Sequence, residues 1–135
     1  MAFTFTESAA QALQDAAEEA GARHQRAVEP RHLLLALSRR KVGTVARLLR
    51  ALHVERESLL DAVTESLPRR REGPPPEEPS ELPYTRRAEA LLEAAGREAE
   101  EAGRSQVSVT DLLLALAAER GISRTLLEGS GVTER

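Results

Sequence analysis

The chain of 135 residues contains no cysteine and no tryptophan, and its only aromatic residues are Phe3, Phe5 and Tyr84. The absence of cysteine excludes disulfide bonds, thiolate metal sites and cysteine catalysis. With so few aromatic rings, the core has to be built from leucine, valine and alanine, and small alanine side chains allow helices to pack closely.

Long apolar runs are also absent, and none approaches the length needed to span a membrane. The N-terminal stretch MAFTFTESAA has neither a basic nor an apolar region of the kind found in signal peptides. The net charge of −3 is spread along the chain, which counts against nucleic acid as the main partner. We therefore expect a cytoplasmic globular domain that binds neither nucleic acid nor membranes.

Proline is almost confined to one stretch, since LPRRREGPPPEEPSELP holds six of the seven prolines. Such a segment cannot continue a helix and has little to bury. We predict an extended, solvated linker over residues 68–83. It separates a first unit of about residues 5–67 from a second unit of about residues 84–135.

The first unit has the periodicity of four helices. Apolar residues recur at spacings of three and four from Ala9 to Ala20, with Thr6 in the position of an N-cap. Pro30 is well placed to begin a second helix, and Gly43 separates that helix from a third. The predicted helices cover about residues 6–23, 30–40, 45–52 and 55–66.

The five letters LLLAL occur twice, at residues 33–37 and 112–116. At a constant offset of 79, twelve of the 33 positions from residue 5 to residue 37 are identical without a gap. Fixed-period similarity of this kind marks a repeated structural unit. The second copy reaches GVTER where its fourth helix would begin, so we expect it to lack that helix and to leave a face around Leu126 and Leu127 uncovered.

These motifs recur in order in both halves and resemble one known family. The carriers are FTESAAQAL, EEAGARHQRAVEPRHLLLAL and LLRALHV in the first copy, and YTRRAEALL, REAEEAGRSQVSVTDLLLAL and LLEGSGV in the second. They resemble the N-terminal repeat domain of the Clp AAA+ unfoldases, especially the ClpC type. The resemblance implies an all-α globule of two pseudo-symmetric four-helix repeats.

The same resemblance implies a function in regulated proteolysis and the stress response. Domains of this family bind substrates and adaptor proteins and present them to ATPase rings, without catalytic activity of their own. This sequence has no G-x-x-x-x-G-K-[ST] motif, and its nearest fragment, RKVGT, lacks the glycine-rich phosphate cradle. We therefore expect a non-catalytic module, either free-standing or part of a larger unfoldase, whose partners include a Clp ATPase.

Cofactor and metal sites are not expected. The three histidines, His24, His32 and His53, have no partner four residues away and no paired carboxylates at ligand spacing. No nucleophile and base stand together in the sequence, so nothing in it indicates an enzyme.

The resemblance further implies a phosphoarginine site in each repeat, formed by a threonine that begins the first helix and a glutamate that begins the second. The threonines are present as Thr6 and Thr85. A helix N-terminus with a hydroxyl group can receive phosphate. Both threonines equally fit plain N-caps, which are worth about 1 kcal/mol each.

The two glutamates are absent, because Arg31 and Thr110 occupy their positions. Arg31 would repel a guanidinium and Thr110 carries no charge, which counts against phosphoarginine binding. Glu29 and Asp111 lie one or two residues away and are alternative partners for a guanidinium. Asp111 is also placed to close a capping box with Ser108, which is a structural role.

Phe3, Phe5 and Tyr84 cluster at the starts of the two repeats. They are either anchors of an exposed peptide-binding groove, or, for Phe5 and Tyr84, staples that pack onto their own first helices. We expect Phe3 to be partly exposed. An alternative function uses Phe3 and Tyr84 as anchors that sequester a hydrophobic peptide or antibiotic directed at the unfoldase.

A basic cluster surrounds the junction between the second and third helices. It either docks an acidic adaptor or partner ring, or forms a solvated face balanced by nearby acids. Its members are Arg39, Arg40, Lys41, Arg47 and Arg50. The candidate ligand-binding residues are Phe3, Phe5, Thr6, Arg31, Tyr84, Thr85, Thr110 and Asp111.

Overall fold

The computed structural model describes residues 3–119 and 122–129, which form seven α-helices and two very short strands. The elements are β1 (Thr4–Phe5), α1 (Glu7–Ala22), α2 (Pro30–Ser38), α3 (Thr44–Ala51), α4 (Arg56–Ser66), α5 (Arg86–Glu101), β2 (Gln106–Val107), α6 (Val109–Ala118) and α7 (Ile122–Gly129). The predicted all-α class is confirmed. None of the described helices is long and apolar enough to cross a membrane.

The first helices of the two repeats begin in the same way. The Thr6 hydroxyl accepts a hydrogen bond from the Ala9 N–H (3.1 Å), and the Thr85 hydroxyl accepts one from the Ala88 N–H (3.2 Å). Both helices, α1 and α5, are 16 residues long. The predicted N-caps are therefore confirmed, and the repeats match in local structure as well as in sequence.

The helix that carries LLLAL in the first repeat is buried on almost every side. Within α2, every residue except Arg31 is buried. Three successive leucines cover most of the circumference of a helix, so such a helix needs neighbours all round. In the second repeat the helix with the same five residues, α6, is less completely buried, because Leu114 is exposed.

The two repeats are joined by backbone pairing that the sequence did not predict. β1 and β2 pair in parallel, with Phe5 opposite Val107, and a matching isolated bridge joins Val28 to Tyr84. At the offset of 79, Phe5 corresponds to Tyr84 and Val28 corresponds to Val107. The start of each repeat is therefore bonded to the segment that precedes the second helix of the other repeat.

The prediction of an uncovered face around Leu126 and Leu127 was wrong. Leu127 is buried and Leu126 is partly buried, because α7 packs against α2, α4 and α6. The last described helix thus lies against the first repeat as well as its own. The exposed leucine of the second repeat is Leu114 instead.

The start of the proline-rich segment is exposed to solvent, whereas its end packs against α1. Residues 68–78 are exposed, but a 3₁₀ turn at Pro79–Glu81 packs against α1, and Leu82 behind it is buried. Gly21 allows this approach, because a Cβ atom there would lie 3.1 Å from Cγ of Pro79. The segment is therefore attached to α1 at its end, in contrast to a fully solvated linker.

A buried carboxylate connects the ends of α1 and α2 to the start of the linker. Glu19 of α1 pairs with Arg23, the residue that follows this helix (2.6 Å), with Arg39 after α2 (2.7 Å) and with Arg70 of the linker (3.2 Å). Glu19 and Arg23 are both buried. A buried arginine without a compensating carboxylate is strongly destabilising.

We expect Glu19→Gln to lower the free energy of unfolding by about 3 kcal/mol, because it leaves the buried Arg23 guanidinium unpaired. Urea denaturation followed by circular dichroism measures the change. The control is Glu18→Gln, because Glu18 is the exposed neighbour and its loss should change stability by less than about 0.5 kcal/mol. Equal stabilities of the two variants would contradict a stabilising role for Glu19.

His32 of α2 is fully buried and uncharged at neutral pH. Its Nδ1 accepts a hydrogen bond from the Glu29 N–H (2.9 Å), while Nε2 has no partner in the described part of the chain. Burial lowers the pKa of His32 to about 4, and the nearby Arg23 and Arg31 act in the same direction against Glu29 and Glu19. An unfolded chain would take up the proton near pH 6.5.

Stability should therefore be constant above about pH 6.5 and fall as the pH decreases toward 4, because only the unfolded state binds the His32 proton in this window. The expected loss approaches about 3 kcal/mol at the acid end. Urea denaturation at several pH values measures it. His32→Gln keeps an acceptor for the Glu29 N–H and removes the titration, so its profile should be flatter. An unchanged slope would exclude His32 as the cause.

Candidate functional site

The first repeat junction brings the N-termini of α1 and α6 together. The Thr6 N–H donates to the Val107 carbonyl (2.9 Å), and the Thr4 hydroxyl donates to the Ser105 carbonyl (3.1 Å). Thr6 caps α1, and Ser108, which follows Val107 directly, caps α6. Two helix N-termini, each with partial positive charge, therefore meet beside β1 and β2.

The second repeat junction is the counterpart of the first and joins the N-termini of α5 and α2. The Val28 N–H donates to the Pro83 carbonyl (2.8 Å), and the Thr85 N–H donates to the Val28 carbonyl (3.0 Å). Thr85 caps α5, and Glu29 stands at the N-cap position of α2. Val28 and Val107 are identical in the aligned repeats, so the two junctions are built from equivalent residues.

Arg31 anchors another helix of its own repeat. Its Nη1 donates to the Ser66 carbonyl at the end of α4, and its Nε donates to the Glu29 carboxylate. A cation at a helix C-terminus is favourable, because the last carbonyls lack intrahelical partners. Arg31 therefore holds α4 against α2, and it already uses the carboxylate of Glu29.

Asp111 also makes intramolecular hydrogen bonds, at the N-terminus of α6. It accepts the Ser108 N–H (2.9 Å), and the Ser108 hydroxyl accepts the Asp111 N–H (3.2 Å), which confirms the predicted capping box. Arg104 then binds both carboxylate oxygens of Asp111, at 2.6 and 2.7 Å. Arg104 was not among the site residues predicted from the sequence.

The protonation state of Asp111 follows from these contacts. Burial by itself would raise the pKa of Asp111, but the hydrogen bonds from Arg104 and Ser108 outweigh it and hold that pKa below its usual range. Asp111 is therefore ionised and paired at neutral pH. Thr110, its neighbour at the position of the family glutamate, is partly buried in the first turn of α6.

The three aromatic rings are partly buried and pack against the core. Phe3 crosses to the other repeat, where it lies against Gly96 of α5, and a Cβ atom on Gly96 would come within 2.4 Å of the ring. Tyr84 borders a crevice of only about 10 Å³, lined also by Leu13 and Leu33. A space of this size holds about one water molecule, so the inner side of Tyr84 has no room for a ligand.

The structure divides the basic cluster into two groups. Arg39 pairs with Glu19, and Arg40 donates to the hydroxyl (2.6 Å) and the carbonyl (2.9 Å) of Ser8. The remaining three members of the cluster are exposed and make no ion pair within residues 3–119 and 122–129. They are Lys41, Arg47 and Arg50. Within the basic cluster, these three side chains are therefore the ones without an ion pair or hydrogen bond to another described residue.

No group of three or more His, Cys, Asp or Glu side chains in the described part of the chain could hold a metal ion. The two repeat junctions are thus surfaces of capped helix ends and aromatic edges. Such surfaces offer hydrogen bonds and apolar contact area to a polypeptide.

The chain is similar to known proteins both in sequence and in structure. The family model for the Clp repeat (R) N-terminal domain matches residues 4–130. The Hsp104 N-terminal domain from Candida albicans is similar in structure, with a TM-score of 0.79 at 21% identity over 96% of this chain and 83% of that chain. The N-terminal domain of the caseinolytic protease associated chaperone ClpD from Arabidopsis thaliana has a TM-score of 0.67 at 19% identity, over 93% of this chain and 85% of that chain.

A third similar structure comes from structural investigations of a malarial protein secretion system. Its TM-score is 0.79 at 19% identity, and the match covers 94% of this chain and 84% of that chain. At such identities the structural matches establish a common fold.

The Thr6→Val and Thr85→Val substitutions should each lower the free energy of unfolding by about 1 kcal/mol, because each removes an N-cap acceptor. The double variant should lose about 2 kcal/mol, since the two caps share no partner. Urea denaturation measures all three. Thr64→Val, an exposed position inside α4, is the matched control. If the double variant lost much more free energy of unfolding than the sum of the two single losses, the two caps would not be independent.

Proposed function

This chain belongs to the Clp repeat N-terminal domain family, and from that membership we propose that it is a non-catalytic module that binds degradation substrates or adaptor proteins of a Clp system. The observation that carries the proposal is the family match over residues 4–130. The module works either as a free-standing adaptor or as the N-domain of a larger unfoldase in the cytoplasm.

The repeat junctions support polypeptides as ligands. At each junction two helix N-termini lie side by side, and their partial positive charge favours backbone carbonyl and carboxylate groups of a bound chain. Phe3 and Phe5 border the first junction with partly exposed rings, which are suitable apolar contacts for peptide side chains. Lys41, Arg47 and Arg50 offer a separate exposed surface to an acidic adaptor.

Phosphoarginine is a poor candidate for the ligand. A phosphoarginine guanidinium needs a free carboxylate, but Glu29 already accepts Arg31, and Asp111 already binds Arg104 through two hydrogen bonds. The chain's own arginines would have to be displaced first. We therefore propose recognition of unmodified polypeptide segments.

Sequestration of a hydrophobic antibiotic at the junctions has less support. That function needs an apolar cavity beside Phe3 and Tyr84. The crevice at Tyr84 measures only about 10 Å³, and Phe3 packs against Gly96. A bound drug-sized molecule would need several hundred Å³.

The proposed function is tested with reduced, carboxymethylated α-lactalbumin, a permanently unfolded protein, as the probe. We expect saturable binding by fluorescence anisotropy and a rise in Tm of the chain, because a ligand specific for the folded state stabilises it. Phe3→Ala should weaken binding several-fold. Val42→Ala is the matched control, since Val42 is 82% exposed and outside both junctions.

Two results would contradict the proposal. The first is the absence of any binding of the unfolded protein. The second is a rise in Tm with free phosphoarginine that Thr6→Val/Thr85→Val abolishes, because it would show that the capped helix N-termini bind the modified residue although both carboxylates are already paired.

A further inference from the structure

Two basic segments of the first repeat meet at the carboxylate of Glu19. Arg39 follows the end of α2, and its Nη1 lies 2.7 Å from Oε2 of Glu19. Arg70 belongs to the linker, and its Nη1 lies 3.2 Å from Oε1 of Glu19. Because both oxygens belong to one carboxylate, the two guanidinium groups are neighbours. We call them the Arg39/Arg70 pair.

Most of the hydrogen-bond donors of this pair are unused. The Arg39 side chain is 46% exposed and the Arg70 side chain is 60% exposed, whereas the Glu19 side chain between them is only 10% exposed. A guanidinium group has five N–H donors. Each of the two contacts Glu19 through one nitrogen and makes no other side-chain hydrogen bond or ion pair to the described residues. The remaining donors are therefore open to water or to a ligand.

Positive charge is in excess around the Arg39/Arg70 pair. Arg23 also pairs with Glu19, so three guanidinium groups share one carboxylate, and Nε of Arg23 is buried without an acceptor in the described part of the chain. Arg69 and Arg71, on either side of Arg70, are exposed and make no ion pair within residues 3–119 and 122–129. An oxyanion that approached this surface would therefore find several donors without a competing carboxylate.

The fold holds the Arg39/Arg70 pair in place. Glu19 is buried in α1 and fixes both guanidinium groups on their inner side. The Arg71 N–H donates to the Ala22 carbonyl at the end of α1 (2.9 Å), which fixes the backbone next to Arg70. A guanidinium group that is already ordered loses less conformational entropy when it binds a ligand. The pair is therefore pre-organised for a planar anion such as a carboxylate.

The second repeat lacks this arrangement. Both arginines that pair with Glu19 from the ends of α1 and α2 are replaced by alanine there, although the glutamate is kept. The corresponding residues are Ala102 for Arg23, Ala118 for Arg39 and Glu98 for Glu19. Glu98 is exposed and makes no ion pair within the described residues. Packing of the first two helices of a repeat thus does not require the arginines.

Acidic residues of the linker limit what can bind beside the pair. Downstream of Arg71, the exposed part of the linker carries Glu72, Glu77 and Glu78. A nucleic acid has a negative charge on every nucleotide, so its backbone would be repelled by these carboxylates. A polypeptide can present one or two carboxylates and continue with uncharged residues. The charges therefore favour a short acidic segment of a protein.

We propose that the Arg39/Arg70 pair binds a carboxylate group in an acidic segment of a partner protein. Each guanidinium group keeps one nitrogen on Glu19 and donates its outer N–H groups to the carboxylate of the partner. The proposal rests on the proposed function as a protein-binding module. It uses none of the residues of the repeat junctions and none of the exposed cations Lys41, Arg47 and Arg50.

The probe for this site is a fluorescein-labelled peptide of six glutamates, with a peptide of six glutamines as the uncharged control. Fluorescence anisotropy should show saturable binding of hexaglutamate to the full chain and no binding of hexaglutamine. Arg39→Gln/Arg70→Gln should weaken the binding about tenfold, because it removes charge-assisted hydrogen bonds. Arg23 still pairs with Glu19 in this variant, and circular dichroism checks that the fold is kept.

The matched control removes two positive charges elsewhere. Arg86 and Arg97 are exposed on α5 and make no ion pair within the described residues. Arg86→Gln/Arg97→Gln should change the affinity for hexaglutamate by less than about twofold at physiological ionic strength, because distant exposed charges are screened. An equal loss of affinity in both glutamine variants would show that only the net charge matters, and it would overturn the proposal.

A lysine variant separates recognition by guanidinium groups from attraction by charge. Arg39→Lys/Arg70→Lys keeps both charges but removes the planar set of N–H donors that matches a carboxylate. This variant should bind hexaglutamate several-fold more weakly than the unmodified chain. Full affinity of the lysine variant would contradict the proposed hydrogen bonds from the two guanidinium groups.

The class of partner is tested in the same assay. A thymidine hexanucleotide, which is also a short polyanion, should bind more weakly than hexaglutamate. Tighter binding of the oligonucleotide would identify a nucleic acid as the ligand and overturn the proposal. A chain that binds unfolded α-lactalbumin but not hexaglutamate would overturn the proposed carboxylate site alone, whereas loss of both would overturn the proposed function as well.

Discussion

The reciprocal pairing between the repeats is the constraint on which the rest of the structure depends. Phe5 pairs with Val107 of the second repeat, and Tyr84 pairs with Val28 of the first. Strands of two residues are too short to be stable alone, so these bonds form only when both repeats are folded. The exchange makes one cooperative unit of the two repeats, and it sets the N-termini of four helices in two adjacent pairs.

Equivalent residues of the two repeats have different surroundings. Leu35 and Leu114 occupy equivalent places in LLLAL, but α4 covers the first and nothing in the described chain covers the second as α4 does. Most buried positions carry the same residue in the two repeats, because close packing tolerates little change. The surface positions have diverged, from Gln11 to Ala90 for example, since exposed residues carry little of the stability.

The helices were predictable from the sequence, because a helix depends on periodicity and caps within one segment. Thr6 and Thr85 begin α1 and α5 as predicted. The contacts between distant segments were not predictable. A strand of two residues has no periodicity, and the packing of α7 on the first repeat, which buries Leu127, depends on how the repeats are placed. For the same reason the end of the linker was not predicted to pack on Gly21.

The candidate site shows the same limit at the level of single charges. From the sequence, Arg31 is a positive charge at a position where a ligand's guanidinium would have to approach. In the structure its partner is Ser66, 35 residues away, together with the nearby Glu29. The spacing of Arg104 and Asp111 likewise does not reveal that they form a bidentate pair. Because both carboxylates are paired with the chain's own arginines, the repeat junctions offer helix termini and apolar contact, rather than free carboxylates, to the proposed polypeptide ligand.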